Sequence, residues 1–160
     1  MARLGDLKLT YRLFMQAYPY RRAEWRPGAR LSKPLPDAVI AVVTTAGLYG
    51  PEQPPFDHSI RGGDWSYREI PADVDVGTLR VAHKSDAFDH AGIEQDPNLG
   101  LPLDRLRELA ARRAIGRVAD RHFSFMGSLT APGRLVDTSA PEVARKLVVD
   151  GVDAVLLTPF

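Results

Sequence analysis

Histidine and aspartate side chains are concentrated in one short stretch, HKSDAFDH, which runs from His83 to His90. Asp86 and Asp89 lie between the two histidines. Two imidazoles and two carboxylates on one segment could bind a divalent metal ion or transfer protons. The spacing matches no motif of a closed metal site, so solvated or helix-capping side chains are the competing interpretation. Two more histidines are present elsewhere, His58 and His122.

Two further segments offer places where a ligand could approach the backbone. The segment TTAG, residues 44–47, follows a predicted strand and supplies hydroxyl groups at its carboxyl end. The segment GGD, residues 62–64, allows close contact with a ligand, or a turn with positive φ whose aspartate binds nearby amides. The sequence contains no phosphate-binding loop, no G-x-G-x-x-G dinucleotide motif and no G-x-S-x-G nucleophile motif.

The composition excludes several classes of chemistry. The chain has no cysteine, so disulfides, thiolate metal ligands and thiol catalysis are absent from these 160 residues. The net charge is +1 and does not indicate a polyanionic partner. Aromatic and basic residues alternate in YPYRRAEWRPGAR, residues 18–30, an arrangement that could stack on bases. Packing of these aromatics onto the domain explains them better, so no nucleic-acid partner is expected.

Strand and helix patterns alternate along the chain, which predicts an α/β fold: a single three-layer domain with a mostly parallel sheet and flanking helices. The clearest strand is the β-branched run from Val39 to Val43. The segment LDRLRELAARRAIG predicts a helix that begins at Leu103 and ends before Gly116. Near the end of the chain, Ser139 is predicted to cap a helix that Gly151 ends, and a buried parallel strand follows.

Long connections separate these elements. One runs from Tyr49 to Asp64 and the other, KSDAFDHAGIEQDPNLG, covers residues 84–100. Connections of this length are unusual in a compact domain, which indicates that both are functional. Weaker strands are predicted in SYREIP, GTLRVAH and RVADRHFSFMG. The chain is thus divided into a basic, aromatic N-terminal helix and arm, residues 1–30, and an α/β domain, residues 37–160.

Several segments, taken together, resemble the selenoprotein B family of glycine, sarcosine, betaine and D-proline reductases. They are VTTAGLYGPEQPPFD, RGGDWSYREIP, SDAFDHAGIEQDPNLGLPLDRLRELA, IGRVADRHFSFMG and APEVARKLVVDGVDAVLLTP. The segments run in order from Val43 to Pro159 and look closest to the short, single-domain members. The resemblance implies the redox subunit of an oxidoreductase with a disulfide as acceptor. Its reaction would be selenol- or thiol-dependent reductive cleavage of a C–N bond in an amino acid or betaine.

The resemblance also implies where the reactive residue lies. In that family the last strand leads into a segment in which a selenocysteine or cysteine is separated by two residues from a cysteine, and then into a helix. The catalytic residue is therefore expected just after Phe160, and we hypothesise that its codon is a UGA. The 160-residue chain is expected to be inactive by itself. It holds no cofactor, whereas the full-length product would contain selenium as selenocysteine.

The family resemblance and the positions of strand ends select the residues expected to line the cleft. These residues are expected to bind substrate or transfer protons, and none of them is assigned as a metal ligand. They are Thr44, Thr45, Gly47, His58, Asp64, His83, Asp89, His90, His122 and Thr158.

Partners and location complete the expectations. The resemblance implies a pyruvoyl-type partner subunit or a thiol reductant. The last strand should expose an apolar patch near Val152–Phe160 and promote self-association. No membrane-spanning segment or secretory signal is recognised, so a cytoplasmic location is expected. Two alternatives stay open: a non-catalytic domain that binds a small ligand or partner, and a metal-dependent hydrolase that uses His83, Asp89 and His90.

Overall fold

The structure, a computed structural model, describes residues 8–17, 28–85 and 90–160. Contacts divide the chain into two units, Met1–Arg30 and Leu31–Phe160. Within the first unit, helix α1 spans Leu9–Ala17. Most of the aromatic and basic arm predicted for residues 18–30 lies outside the described residues.

The second unit is built on a five-stranded sheet with β1 (Val39–Thr44) at its centre. Strand β7 (Ala154–Thr158) runs parallel to β1 on one side. Strands β5 (Arg117–Val118) and β6 (Arg121–Phe125) run parallel to it on the other side. Strand β3 (Tyr67–Pro71) pairs antiparallel with β6. The mostly parallel sheet confirms the predicted α/β class.

Helices contribute apolar side chains to both faces of this sheet. On one face, α2 (His90–Gln95) and α3 (Leu103–Ala111) share a core cluster with β1, which includes Ile40, Val42, Ile93, Leu103 and Leu106. On the other face, Val143 of α4 (Ala140–Val149) belongs to a cluster with Phe123 of β6. The predicted three-layer arrangement is therefore confirmed. None of the described helices has the length and apolar character that a membrane span requires.

Two of the weaker strand predictions needed correction. GTLRVAH forms only β4 (Arg80–Val81), which pairs with β2 (Leu48–Tyr49) in a separate two-stranded sheet rather than joining the main one. The reason is the turn after β1, where the N–H of Ala82 donates to the carbonyl of Gly47. RVADRHFSFMG forms two strands, β5 and β6, because residues 119–120 interrupt the pairing with β1. The second long connection also contains α2.

Helix α3 ends at Ala111 rather than just before Gly116. The N–H groups of Arg113 and Ala114 turn back onto carbonyls of the last helical turn, as in a Schellman motif. Arg113 takes the left-handed position of that motif, with φ 57°, although glycine is the residue usually found there. Gly116 instead permits close packing, because a Cβ atom there would lie 2.6 Å from the carbonyl carbon of Asp37.

The prediction that Ser139 caps α4 is wrong. A π-helical turn, Leu135–Ser139, leads directly into α4, and the Ser139 hydroxyl donates to the carbonyl of Trp65 at 2.7 Å. Pro141 has no N–H to donate to the preceding turn, which is compatible with a wider turn at this point. The other end of α4 agrees with the prediction, because Gly151 follows it with φ 66°.

Strand β7 is parallel, as predicted, but it is not buried. The exposed fractions of Val155, Leu156 and Leu157 are 37%, 40% and 68%. Within the described part of the chain β7 pairs with β1 alone, so its outer edge has no neighbouring strand. The exposed apolar patch expected near the last strand is therefore present, whereas self-association stays a prediction.

Candidate functional site

Hydroxyl groups at the exit of β1 hold the end of β7 in place. The Thr44 hydroxyl accepts the N–H of Ala46 at 3.1 Å and donates to the carbonyl of Thr158 at 3.3 Å. The Thr45 hydroxyl accepts the N–H of Phe160 at 2.8 Å and lies 3.2 Å from its carbonyl oxygen. The backbone of Phe160 is thus fixed at the carboxyl edge of the sheet, where open α/β folds place their ligands.

Two glycines allow backbone segments to come close together at this edge. A Cβ atom at Gly127 would lie 2.6 Å from the carbonyl oxygen of Phe160 and 3.0 Å from that of Thr45. A Cβ atom at Gly47, where φ is 69°, would lie 2.5 Å from the carbonyl oxygen of Ala82. Real Cβ atoms essentially never come within 3.0 Å of such atoms, so a side chain at either position would force the neighbouring backbone to move. Gly47 was a predicted site residue, whereas Gly127 was not.

Three of the predicted histidines lie in one neighbourhood. Ser85 connects two of them, because its N–H donates to Nδ1 of His83 at 3.2 Å and its carbonyl oxygen lies 3.2 Å from Nε2 of His90. The Lys84 ammonium donates to the backbone carbonyl of His58 at 2.8 Å. Burial lowers the pKa of His83, and the charges of His90 and His58 lower it further. These groups could bind an anion or exchange protons with a substrate.

Asp64 belongs to a turn rather than to an open cleft. Gly62 and Gly63 have φ values of 93° and 101°, and the Asp64 carboxylate accepts the N–H of Asp57 at 2.8 Å and the N–H and hydroxyl of Ser66. Burial opposes its ionisation, but these hydrogen bonds and the nearby guanidinium of Arg68 outweigh burial and lower its pKa. The turn interpretation of the GGD segment is therefore confirmed.

His122 lies within strand β6, buried in the core rather than at the carboxyl edge. Its side chain is fully buried, and Nδ1 accepts the N–H of Val42 at 3.0 Å. Because residues 119–120 interrupt the pairing of β1 with β5 and β6, the ring supplies an acceptor at that gap. Burial lowers the pKa of His122 to about 4, and the charge of Arg107 contributes to this shift. The ring is therefore uncharged near neutral pH.

The predicted site residues thus fall into several groups. Those at the carboxyl edge and in the adjoining histidine neighbourhood are Thr44, Thr45, Gly47, His58, His83, His90 and Thr158. Asp64 stabilises a turn, His122 supports the sheet, and Asp89 lies outside the described residues. In the described part of the chain, no three His, Asp or Glu side chains are arranged to hold a metal ion.

An apolar groove of about 570 Å³ borders the same edge. Residues of β7 and helix α4 line it, together with Thr45 and Gly127. The side chains that give it its apolar character include Val43, Phe125, Leu129, Leu147, Val155 and Leu157. The fold and the edge together define a class of protein: an α/β domain that presents polar groups and an apolar groove at the carboxyl ends of parallel strands.

The chain belongs to the glycine/sarcosine/betaine reductase selenoprotein B family, whose model matches residues 7–159. It is 35% identical to the D-proline reductase subunit gamma of Acetoanaerobium sticklandii, over 84% of this chain and 52% of that protein. It is 30% identical to the betaine reductase complex component B subunit beta of Peptoclostridium acidaminophilum, over 94% of this chain and 34% of that protein.

A third relative is the glycine reductase complex component B subunit gamma of Carboxydothermus hydrogenoformans, which is 30% identical over 79% of this chain and 29% of its own length. The chain therefore spans between about a third and a half of the relatives it matches. No solved structure matches the chain significantly. The family resemblance derived from the sequence is confirmed.

Proposed function

We propose that the chain is the scaffold of a redox subunit in a reductase complex that cleaves a C–N bond at the α-carbon of a small amino acid or betaine. Family membership supports the reaction type, and the relatives are named as components or subunits of D-proline, betaine and glycine reductases. The proposed partner is a subunit of the pyruvoyl type that activates the amine, with a thiol as the source of electrons.

The observation that carries this proposal is the fixed position of Phe160 at the carboxyl edge. The Thr45 hydroxyl holds its N–H at 2.8 Å, and the missing side chain of Gly127 leaves room for its carbonyl. We place the selenocysteine or cysteine directly after Phe160, because the 160 residues contain no cysteine. A selenol or thiol at that point supplies a nucleophile that also carries reducing electrons.

The residues of the chain would position the substrate and move protons around that group. C–N cleavage releases an amine that needs a proton, and we propose that the histidine neighbourhood of His58, His83 and His90 relays it, because imidazole is suited to proton transfer. Because burial lowers the pKa of His83, the ring favours its uncharged form and readily gives up a proton that it receives. We propose it as the group that passes the proton on to the released amine.

Self-association through β7 also remains a proposal. The exposed side chains of Val155, Leu156 and Leu157 support it, since apolar strand edges of this kind attract further strands. The competing function is non-catalytic binding of a small ligand or partner at the same edge. Metal-dependent hydrolysis by His83, Asp89 and His90 also stays an alternative, because Asp89 lies outside the described residues.

A turnover assay separates catalysis from binding alone. The full-length product and its partner subunits are supplied with dithiothreitol and, in turn, with D-proline, glycine, sarcosine and betaine. Reductive cleavage of D-proline opens its ring and adds two electrons and two protons, so 5-aminopentanoate is the product to detect by mass spectrometry. The matched control is the 160-residue chain with the same partners, which should give no product. Turnover by that control, or none by the full-length product, would refute the proposal.

A further inference from the structure

A second cavity, of about 370 Å³, lies beside the carboxyl edge, between the loop that precedes β3 and the loop that follows β6. Backbone hydrogen bonds hold the two loops together, since the carbonyl of Gly62 accepts the N–H groups of Thr130 and Ala131. The hydroxyl of Ser139 fixes the carbonyl of Trp65 on the first loop. The cavity is within the range of about 300–1,000 Å³ that small-molecule sites occupy, and its walls are set by the fold.

Two arginines line this cavity, Arg61 and Arg134. No carboxylate of the described residues forms an ion pair with either, whereas Arg68, Arg107 and Arg121 each have an acidic partner. The guanidinium carbon of Arg134 lies 5.6 Å from the centre of the Trp65 ring, which keeps the charge against the cavity wall. Two cations without a countercharge at one cavity favour an anionic ligand.

We propose that this arginine pocket, defined by Arg61, Trp65 and Arg134, binds the carboxylate of a small amino acid or betaine. Guanidinium groups match a carboxylate in a planar, two-bond geometry. The ring of Trp65 adds an apolar surface to the lining of the pocket. The inference rests on the proposed function, because it names the part of the chain that would recognise such a substrate.

The position of the pocket fits this task. The segment from Gly127 to Gly133 follows β6, and its first residue lies against the backbone of Phe160. Further along the same segment, Leu129 lines the apolar groove and Gly133 lines the arginine pocket. A ligand held by its carboxylate in the pocket would therefore share one wall with the edge at which the reactive residue is proposed.

Fluorescence of Trp65 tests this proposal without any turnover. The 160 residues contain two tryptophans, so the Trp25→Phe variant of the 160-residue chain reports from the pocket alone. Titration with D-proline and with betaine should change the emission in a saturable way. Titration with D-prolinamide and with choline, which lack the carboxylate, should not. Arg61→Gln and Arg134→Gln should each raise the Kd by about tenfold, whereas Arg112→Gln, at an exposed arginine that also has no ion pair, should leave it within about twofold.

The inference is overturned if the amide and choline bind as well as the carboxylates, if Arg112→Gln has the same effect as the pocket variants, or if phosphate or chloride saturates the signal at the same concentration. Failure of the carboxylate-binding inference can be distinguished from failure of the proposed reductase function. An active complex whose KM for D-proline is unchanged by Arg61→Gln and Arg134→Gln would refute only the pocket. Arginine-dependent carboxylate binding by an inactive full-length complex would refute only the reductase.

Discussion

Replacing His122 with leucine is expected to lower the free energy of unfolding by about 2–4 kcal/mol at pH 7.5. Leucine fills much of the same buried space, but it cannot accept the N–H of Val42, which the ring accepts at 3.0 Å. A buried amide left without a partner costs on the order of 1–3 kcal/mol, and the change of shape in a packed core adds to that cost. Guanidinium denaturation of both proteins measures the difference.

The same substitution should reduce the sensitivity of the protein to acid. Burial lowers the pKa of folded His122 from 6.5 to about 4. The unfolded chain therefore binds a proton that the folded chain does not bind as the pH falls from 6.5 towards 4, and stability is lost over that window. Between pH 7.5 and 5.0 this loss amounts to about 2 kcal/mol in the wild-type protein. The variant lacks the ring and does not lose this stability. The difference in unfolding free energy between the wild-type protein and His122→Leu should therefore be smaller at pH 5.0 than at pH 7.5 by about that amount.

The comparison is controlled by a second histidine variant. His58 is exposed, and the hydrogen bond that it accepts from Lys84 uses its backbone carbonyl, so His58→Leu should match the wild-type protein at pH 7.5. The charge of His58 is the smallest of the effects that lower the pKa of His83, so the acid sensitivity of this variant should change far less than that of His122→Leu. The lowered pKa of His83 also makes acid destabilising, but His122 does not contribute to that shift, so it cancels in the difference between the wild-type protein and His122→Leu. An equal loss of stability between pH 7.5 and 5.0 in wild type and His122→Leu would show that the ring is not held uncharged.

Replacing Gly127 with alanine is expected to lower the turnover of the full-length complex by about 10- to 100-fold. The added Cβ atom would lie 2.6 Å from the carbonyl oxygen of Phe160 and 3.0 Å from that of Thr45. The backbone must therefore move, and a displacement of about 1 Å near reacting groups costs on the order of 100-fold in rate. Kinetic measurement with D-proline and dithiothreitol gives kcat and KM for both proteins.

Stability separates a local displacement from a general loss of folding. Phe160 lies beyond the last residue of β7 and is 42% exposed, so it can shift with little effect on the core, and the unfolding free energy should fall by only about 1–2 kcal/mol. The matched control is Gly77→Ala, because a Cβ atom there would meet only a carboxylate oxygen of Asp75 at 3.4 Å. Unchanged kcat in Gly127→Ala, or an equal loss in Gly77→Ala, would contradict the role given to this edge.

The sequence predicted the elements whose patterns are local and strong. The β-branched run of β1 and Gly151 at the end of α4 were both identified, because strand composition and helix termination depend on few residues. The end of α3 could not be identified, since Arg113 takes a left-handed conformation that usually belongs to glycine. Ser139 looked like a helix cap because its real partner, the carbonyl of Trp65, is distant in sequence.

The residues of the candidate site that lie at strand ends could be predicted from the sequence. The residues whose role depends on contacts with distant parts of the chain could not. Thr44 ends β1 and Thr45 follows it, so the topology of a parallel sheet places them at the edge. Gly127 was missed because the two carbonyls that exclude a side chain come from other parts of the chain. His122 was expected in the cleft, yet its ring fills a gap in the strand pairing that appears only once β5 and β6 are seen as separate strands.

The most direct test of the central claim is to determine which residue follows Phe160. The codons downstream of Phe160 are read from the gene, and the corresponding peptide of the protein from its natural source is identified by mass spectrometry, in which selenium gives a distinctive isotope pattern. The account predicts selenocysteine at a UGA codon, or cysteine, directly after Phe160, with a further cysteine separated from it by two residues. A UAA or UAG codon at that position, or a continuing frame with neither residue there, would contradict it.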